Sequence, residues 1–458
     1  MKLTATFAII ACKAAHSAAR ILHRGGTAMP GKVALKICPD LLSVLAKNTK
    51  TVVVTGTNGK TTSSRMIEKA FEDAGLAPLA NRSGANLISG ITTEFALNSN
   101  IFGTCRKKYA VIECDEAAAR LCLPMLKPKA VLVTNLFRDQ LDRYGEVTHT
   151  LAKIREGLEG TPNAVLCLNA DCSLTSSLAL ELKNDVVYYG INQSAAPESK
   201  SVTLSDATHC IRCKAQYSYS YSTYGHLGGF YCESCGYKRP EPDVAVTAIN
   251  EIAADASSVI MKIDGHKSVV SINLPAIYNI YNAAGAIACV KAFGMDSSLA
   301  IDALAVFRCG FGRMEKFDLG KAGARMCLVK NPAGCNQVID FLAATKGERT
   351  LVICLNDNDA DGTDVSWIWD VSFETLAENA GDYGRIIVSG LRANDLRVRL
   401  KYAGFEDDKI EIICDYNALA ETLMNEEKPI YIVPTYTSML DFRACLVSKL
   451  GGSRFWEG

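Results

Sequence analysis

The run Thr51-Val52-Val53-Val54-Thr55 is followed by a glycine-rich turn and then by Thr61–Ala74, where apolar residues recur at helical spacing. A β-branched run of that length bounded by a turn reads as a buried strand. Similar runs recur at Tyr109–Glu113, Ala130–Thr134, Ala164–Leu168 and Val186–Gly190, with helical patterns between several of them. Strand alternating with helix predicts an α/β fold with a mainly parallel sheet covered on both faces. The rhythm breaks at Ser201–Asp243. It resumes with strand-like runs at Ala245–Ile249, Ser258–Ile263 and Ser268–Leu274, then helical patterns at Ile277–Phe293 and Ser297–Phe307. A second, smaller α/β unit is predicted from about Lys321. Its strands are Met326–Lys330, Thr350–Leu355, Arg385–Ser389, Ile410–Cys414 and Ile430–Val433, and the boundary falls at Phe317–Gly323.

Length agrees with this division, since 458 residues exceed one ordinary domain and a 48% hydrophobic content supplies a core to each. The formal net charge is zero, which excludes a general basic bias towards nucleic acid. Of the 18 cysteines, most stand singly in apolar stretches, as Cys122, Cys167, Cys289 and Cys354 do. That pattern suits buried free thiols in a reducing compartment and predicts a cytoplasmic protein. Thr4–Ala19 is rich in Ala and Ile but is interrupted by Lys13 and His16 and followed by Arg20, His23 and Arg24. Three readings stay open: a packed terminal helix, a basic amphipathic helix lying on an anionic membrane surface, and a cleaved signal. No later stretch has the roughly 20 uninterrupted apolar residues of a membrane span.

Gly56-Thr57-Asn58-Gly59-Lys60-Thr61 follows the first strand and opens a helix. Backbone N–H groups of such a turn cradle phosphate oxygens. Lys60 would place a charge on the β- and γ-phosphates of ATP, and the Thr61 hydroxyl would hold Mg²⁺. The loop is not the standard one, because Val54 stands where the first glycine of the general pattern belongs. Glu113 ends a strand with a carboxylate, and Asp115 and Glu116 lie beside it.

The interrupting segment, about 201–243, contains Cys210-x₂-Cys213, then 18 residues, then Cys232-x₂-Cys235. This is structural zinc spacing, with four thiolates and no open position for catalysis. His209 and His226 are substitutes of second choice. The segment is rich in tyrosine but poor in basic residues, which argues against nucleic acid.

The shortened loop Thr55-Gly56-Thr57-Asn58-Gly59-Lys60-Thr61-Thr62 resembles that of the Mur ligases and folylpolyglutamate synthases. Those enzymes phosphorylate a carboxylate with ATP and let an amine displace the phosphate. In family order come Glu113, which the resemblance makes a hard-oxygen Mg²⁺ ligand and with which Asp115 and Glu116 could be confused, the run Thr134–Asp142, Asn279 and Asn282, and Arg313 in Gly-Phe-Gly-Arg-Met-Glu. Gln140 departs from the family, which has His there. The resemblance implies that Asn279 and Asn282 face the base, and that Lys60 and Arg313 stabilise charge on the transferring phosphoryl group. It implies a nucleotide site of Gly56, Thr57, Asn58, Gly59, Lys60, Thr61, Thr62, Asn279, Asn282 and Arg313. Asn81, Ser83, Asn86 and Thr92-Thr93-Glu94 are expected to position the substrate carboxylate.

The acidic run Leu355–Asp370, with Leu22–Gly26, Pro30–Lys32 and Asn331–Gly334, resembles the MurT family, the Mur-ligase-like subunits of lipid II isoglutaminyl synthase. The resemblance covers essentially the whole chain. It implies an N-terminal helical segment at 1–48, a Mur-ligase-type ATP-binding domain at 49–317 and a C-terminal α/β domain at 318–458. The C-terminal unit would close as a lid. The implied activity is amidation of the α-carboxylate of D-glutamate in the lipid II stem peptide to D-isoglutamine. Ammonia would come from a GatD-like class I glutamine amidotransferase. One Asp of the acidic run would complete that partner's Cys-His pair: Asp357, directly after a strand, with Asp361 and Asp364 as rivals. On this resemblance the long N-terminal domain that binds a uridine nucleotide in other Mur ligases is not expected, which suits a lipid-linked substrate; the expected location is cytoplasmic, peripheral at the inner face of the membrane. The alternative is a stand-alone amino-acid ligase; a nucleotide-binding module without turnover is a third reading.

Overall fold

The computed structural model describes residues 3–21, 27–82, 84–138, 147–196, 206–308 and 312–451. Leu22–Gly26, Ser83, Asp139–Asp142 with Gln140, and Gly310–Phe311 therefore lie outside the described residues. The chain divides into two compact units, the second taking up the chain from Arg308.

The first unit contains β1 (Lys50–Thr55), β2 (Leu79–Ala80), β3 (Tyr109–Glu113), β4 (Ala130–Val133), β5 (Val165–Asn169), β6 (Val186–Ile191), β7 (Ser218–Tyr224), β8 (Leu227–Tyr231), β9 (Val244–Ile252), β10 (Ser257–Ile263) and β11 (His266–Ile272). Nine of them form one sheet in the order β11-β10-β9-β6-β5-β4-β1-β3-β2. The pairings from β2 to β9 are parallel, and β9, β10 and β11 pair antiparallel at one edge. The central strands are apolar throughout because both faces are covered. Val52, Val53 and Val54 are fully buried, as are Val131, Leu132, Leu166 and Leu168. The helix Ile277–Ala292 lies against β4, β5, β6 and β9, and the helix Lys60–Asp73 against β1 and β3. Among the described residues ahead of β1 stand three helices, Leu3–Ile21, Met29–Ile37 and Leu41–Ala46, within the segment expected to be helical; the pattern itself marks out only the first.

The predicted break in rhythm lies between β6 and β9, which are nonetheless parallel neighbours, Tyr189 opposite Val244. The antiparallel pair β7–β8 stands in this insertion over a small core of Tyr217, Phe230 and Tyr237. A buried ionic knot fastens it to the sheet. Asp171, fully buried after β5, accepts from Arg239 Nε at 2.6 Å, Tyr281 Oη at 2.5 Å and Ile191 N at 2.8 Å. Burial pushes the Asp171 carboxyl up, against Arg239 and the hydrogen bonds.

The second unit contains β12 (Arg313–Phe317), β13 (Ala324–Cys327), β14 (Arg349–Cys354), β15 (Tyr383–Ser389), β16 (Ile410–Ile412) and β17 (Ile430–Pro434), in the order β12-β13-β17-β14-β15-β16. All pairs are parallel except β12–β13. Met326, Val352, Ile387, Leu423, Ile432 and Phe442 make its core. The sequence pattern gives no sign of β12. It joins this sheet through β13, and Arg443 holds its Glu315 through two guanidinium nitrogens at 2.9–3.0 Å.

Among the described residues every cysteine is a free thiol, and most are buried. Burial pushes the Cys327, Cys335 and Cys354 thiols up to about 12, which keeps them protonated and inert.

Asp171→Ala leaves the Arg239 guanidinium, 11% exposed, without its carboxylate. The expected loss is about 3–5 kcal/mol of stability, read from urea unfolding; a loss under about 1 kcal/mol would show the knot to be dispensable.

Candidate functional site

The loop after β1 reaches the carboxyl ends of β3 and β4, the edge where open α/β sheets place their ligands. Two glycines make its shape possible. Gly56 has φ +117°, and a Cβ there would lie 2.3 Å from Thr134 Oγ1. Gly59 has φ +87°, and a Cβ there would lie 2.1 Å from Asn282 Oδ1. Asn135, after β4, braces the turn between them: its Oδ1 accepts from Asn58 N at 3.0 Å and its Nδ2 donates to Asn58 O at 3.1 Å. Thr57 Oγ1 accepts from Phe137 N at 3.1 Å and lies 3.2 Å from Phe137 O. The Thr134–Asp142 run is thus the second wall of the loop as far as it is described.

Lys60 opens the helix Lys60–Asp73 and is buried. Its Nζ donates to Gly56 O at 2.6 Å and to Glu116 Oε1 at 3.0 Å. Burial opposes the charge, but Glu116, Asp115 and Glu113 together hold Lys60 above its ordinary value. Thr61 Oγ1 donates to Glu113 Oε2 at 2.7 Å, and Asn86 Nδ2 donates to Glu113 Oε1 at 3.2 Å. Asn81 accepts from Glu113 N and donates to Glu113 O, fixing the end of β3.

The three neighbouring acids therefore have three separate positions. Glu113 meets Thr61, Glu116 pairs with Lys60, and Asp115 caps the helix Glu116–Leu126 by accepting from Ala117 N at 3.0 Å. Glu113 and Thr61 offer two hard oxygens side by side, a donor pair that fits Mg²⁺. Asn81 and Asn86, expected to position substrate, both hold Glu113. Thr92 and Thr93 bond back to Ile88 O and Ser89 O within their own helix. Asn282 donates to Asn279 Oδ1 at 3.2 Å, and both are buried beneath the Gly59 turn. Arg313 stands at the start of β12 in the second unit, half-buried opposite Cys327. Two partners were missed by sequence reasoning, Asn135 and the pairing of Glu116 with Lys60. The spacing from Glu113 to Glu116 hints at the second, because it carries the chain from strand end to first helical turn.

Cys210, Cys213, Cys232 and Cys235 gather with all four Sγ atoms within 4.8 Å of one another. Two matching knuckles bring them there. Cys210 N donates to Ala215 O and Lys214 N to Cys210 O; Cys232 N donates to Tyr237 O and Gly236 N to Cys232 O. The residue after each second cysteine is left-handed, Lys214 at φ 65° and Gly236 at φ 73°. The backbone N–H of Ala215 and the Cys232 sulfur pull the Cys213 thiol down to about 6. The Tyr237 N–H pulls Cys235 down as well, but burial and three neighbouring sulfurs raise it to about 12. Four sulfurs so close resist carrying four negative charges without a cation among them, so the donor set fits a metal ion of zinc's preferences. His209 and His226 are not part of this set. His226 is fully buried with Nε2 3.3 Å from Cys172 Sγ, and His209 Nδ1 lies against Thr208.

In the second unit Asp357 follows β14, and its Oδ2 accepts from Arg392 Nη1 at 3.2 Å, with the carboxylate 28% exposed. Asp361 is buried and accepts from Thr437 N at 2.7 Å and from Thr437 Oγ1. Asp364 accepts from Ser366 N at 2.8 Å at the start of a short helical turn. Arg392 was not foreseen. It is 35 residues away, and only the parallel pairing of β14 with β15 brings it there.

The Mur ligase middle domain family matches residues 54–290 and the MurT ligase C-terminal family residues 328–439. The lipid II isoglutaminyl synthase (glutamine-hydrolyzing) subunit MurT of Streptococcus pneumoniae is 35% identical over 450 residues, covering 98% of both chains. The subunit of that name from Staphylococcus aureus (strain COL) is 33% identical, over 94% of this chain and 95% of its own. In fold, MurF from Acinetobacter baumannii matches 92% of this chain and 80% of its own, with TM-score 0.66 and 16% identity. A pseudomurein peptide ligase type C from Methanothermus fervidus matches 88% and 79%, with TM-score 0.64 and 21% identity. A Mur-ligase fold, a four-cysteine insertion and near full-length identity above 30% to two MurT subunits make this chain a member of the MurT family.

Proposed function

We propose that this protein is the ATP-dependent amidating subunit of a lipid II isoglutaminyl synthase. The observation that carries this is the near full-length match to two subunits so named, on a chain whose loop keeps every phosphate-handling group. In the proposed reaction, a carboxylate oxygen of the stem-peptide D-glutamate attacks the γ-phosphorus of ATP, and ADP departs. Ammonia then attacks the carbonyl carbon of the acyl phosphate. Phosphate leaves with its bonding pair, and the nitrogen loses a proton to give D-isoglutamine.

The residues divide this work between them. The Gly56–Thr61 backbone and Lys60 receive the phosphates, and Lys60 neutralises charge spreading over the transferring group. Glu116 keeps Lys60 charged and aimed when the site is empty. Thr61 and Glu113 are the residues that would hold Mg²⁺, which when bound offsets phosphate charge. The four cysteines would hold a structural zinc that keeps the insertion folded. No side-chain nucleophile is required. Asp357 is assigned to a glutaminase partner of the GatD type, where a carboxylate orients the histidine that activates the cysteine.

Glu113→Gln keeps the shape of the Thr61 pair but removes the charge. The Mg²⁺ concentration for half-maximal ADP release is expected to rise at least about tenfold; an unchanged Mg²⁺ titration rejects the ligand assignment.

Purified protein is expected to carry about one zinc per chain, measured by atomic emission, and Cys213→Ser with Cys235→Ser to carry almost none. Equal zinc in both would place the ion elsewhere.

Asp357→Asn, with the partner present, is expected to lose about 10²-fold or more in glutamine-driven amidation of lipid II and little in ammonia-driven amidation. Equal loss with both nitrogen sources removes Asp357 from the partner's site. Activity with an amino acid in place of ammonia, without any partner, would favour the stand-alone ligase.

A further inference from the structure

The helix Leu3–Ile21 has two unlike faces. Ala5, Ala8, Ile9, Cys12 and Ala19 are buried against the protein. On the opposite side Leu3 is 78% exposed, Phe7 64%, Ile10 47% and Ile21 78%. With Ala14, these outward residues fall within an arc of about 60° on the helix. A single exposed leucine is ordinary, but an unbroken outward stripe with a phenylalanine in it is not.

A second apolar element continues this surface. Between Ser99 and Cys105, which pair as a bridge, the chain makes a tight turn with Ile101 and Phe102 at its tip, 45% and 68% exposed. Asn100 builds the turn: its Oδ1 accepts from Phe102 N at 2.9 Å and Thr104 N at 3.0 Å, and its backbone N donates to Thr104 O at 3.0 Å. Gly103, at φ 76°, closes it. None of these bonds uses the side chain of Ile101 or Phe102, so the turn itself does not require apolar residues there. Lys13 Nζ donates to Ser99 O at 2.5 Å, which joins the base of the turn to the edge of the helical stripe.

The two segments that carry this surface are basic in sequence, although Glu94 stands close enough to act on the Cys12 thiol. Residues 1–39 contain six Lys or Arg and no Asp or Glu, and residues 95–112 contain Arg106, Lys107 and Lys108 and no acid. In a chain of zero net charge this is a local concentration. Arg20, Arg106 and Lys108 are exposed.

We propose that Leu3, Phe7, Ile10, Ile101 and Phe102 form a docking face for an anionic lipid bilayer, with Lys13, Arg20 and Arg106–Lys108 as its basic rim. The charge complementarity selects the occupant. Apolar side chains enter the headgroup boundary while cations meet acidic headgroups, and each signal alone binds weakly. No described helix is long and apolar enough to cross a membrane, so the contact is with the surface. The inference rests on the proposed function only for its purpose, since a lipid-linked substrate is met at that surface.

The test is co-sedimentation of the full chain with phosphatidylglycerol-containing vesicles and with pure phosphatidylcholine vesicles, without nucleotide or substrate. Binding is expected to the first and not the second, and to weaken as salt rises from about 0.1 to about 0.5 M. Phe7→Ser with Phe102→Ser should lower partitioning at least about tenfold. Lys107→Glu with Lys108→Glu should remove the preference for anionic vesicles, with circular dichroism reporting that each variant is folded. Absence of wild-type binding, or unchanged binding by the phenylalanine variant, overturns the proposal. So does a wild-type dimer in light scattering that Phe102→Ser breaks, because the face then serves a second copy. Amidation of a water-soluble stem-peptide substrate is measured separately. Its failure would count against the proposed reaction and leave the vesicle result standing.

Discussion

A buried ammonium must find compensating charge, and around Lys60 that requirement organises the first unit. Burying an unpaired ion costs several kcal/mol, so a lysine pointed into a closed turn survives only with carboxylates at hand. Glu116 supplies the contact, while Asp115 and Glu113 supply field. Glu113 ends β3, the parallel neighbour of β1, and the other two follow it, so the register that sets Val54 beside Glu113 also sets the loop beside its acids. The neighbour on the other side, β4, delivers Asn135 to brace the same turn. Three adjacent parallel strands, ending together, are thus what a phosphate loop of this shortened form depends on. In the proposed reaction, Lys60 would exchange part of its interaction with these carboxylates for one with phosphoryl oxygens.

The insertion solves a different problem. A segment of some forty residues cannot bury enough apolar surface to be stable alone. Its own core is three aromatic rings and two cysteines, Tyr217, Phe230, Tyr237, Cys210 and Cys232. Two things make up the deficit: a cluster of sulfurs shaped for a cation, and the Asp171–Arg239–Tyr281 knot that fixes its far end to the sheet. The knot lies near the end of β6, where Asp171 also accepts from Ile191 N.

How much of this was legible depended on how local each signal was. β1, β3 and β4 are short apolar runs bounded by turns, and the loop, Glu113 and the four cysteines stand in fixed local spacings, so all were readable from the chain. β12 was not. Its residues, Arg-Met-Glu-Lys-Phe, alternate weakly, and it is held by Arg443, 128 residues away. The resemblance implied a helical segment over 1–48, but the pattern did not mark out the helix Met29–Ile37 within it, because its alternation of small, basic and apolar residues is ambiguous. The contacts of Asn81 and Asn86 with Glu113 were hidden for the same reason. An asparagine near an expected active site can meet substrate or hold a neighbour, and only the fold shows that both reach Glu113. The membrane reading of the N-terminal helix could be posed from sequence. Its continuation through Ile101 and Phe102 could not, because that depends on a contact across 86 residues.

The acidic run of the second unit shows how geometry can separate carboxylates that sequence leaves equal. A carboxylate proposed to serve a histidine on another subunit must be free to change partners at small cost. Asp361 is buried, and its two oxygens are committed to the amide and hydroxyl of Thr437. Charge-assisted bonds of that kind are worth about 1.5–3 kcal/mol each. Asp364 holds Ser366 N at the start of a helical turn, so releasing it would loosen that turn. Asp357 has one described contact, with Arg392, and the pair is partly exposed, where such pairs are worth about 0–1 kcal/mol. Arg392 meanwhile has a second carboxylate, donating to Asp395 Oδ2 at 2.8 Å and Oδ1 at 3.2 Å. If Asp357 turns to an incoming imidazole, the guanidinium left behind is still paired. Of the three acids, Asp357 is therefore the one that can be lent to a partner without leaving an unmatched charge in its own subunit.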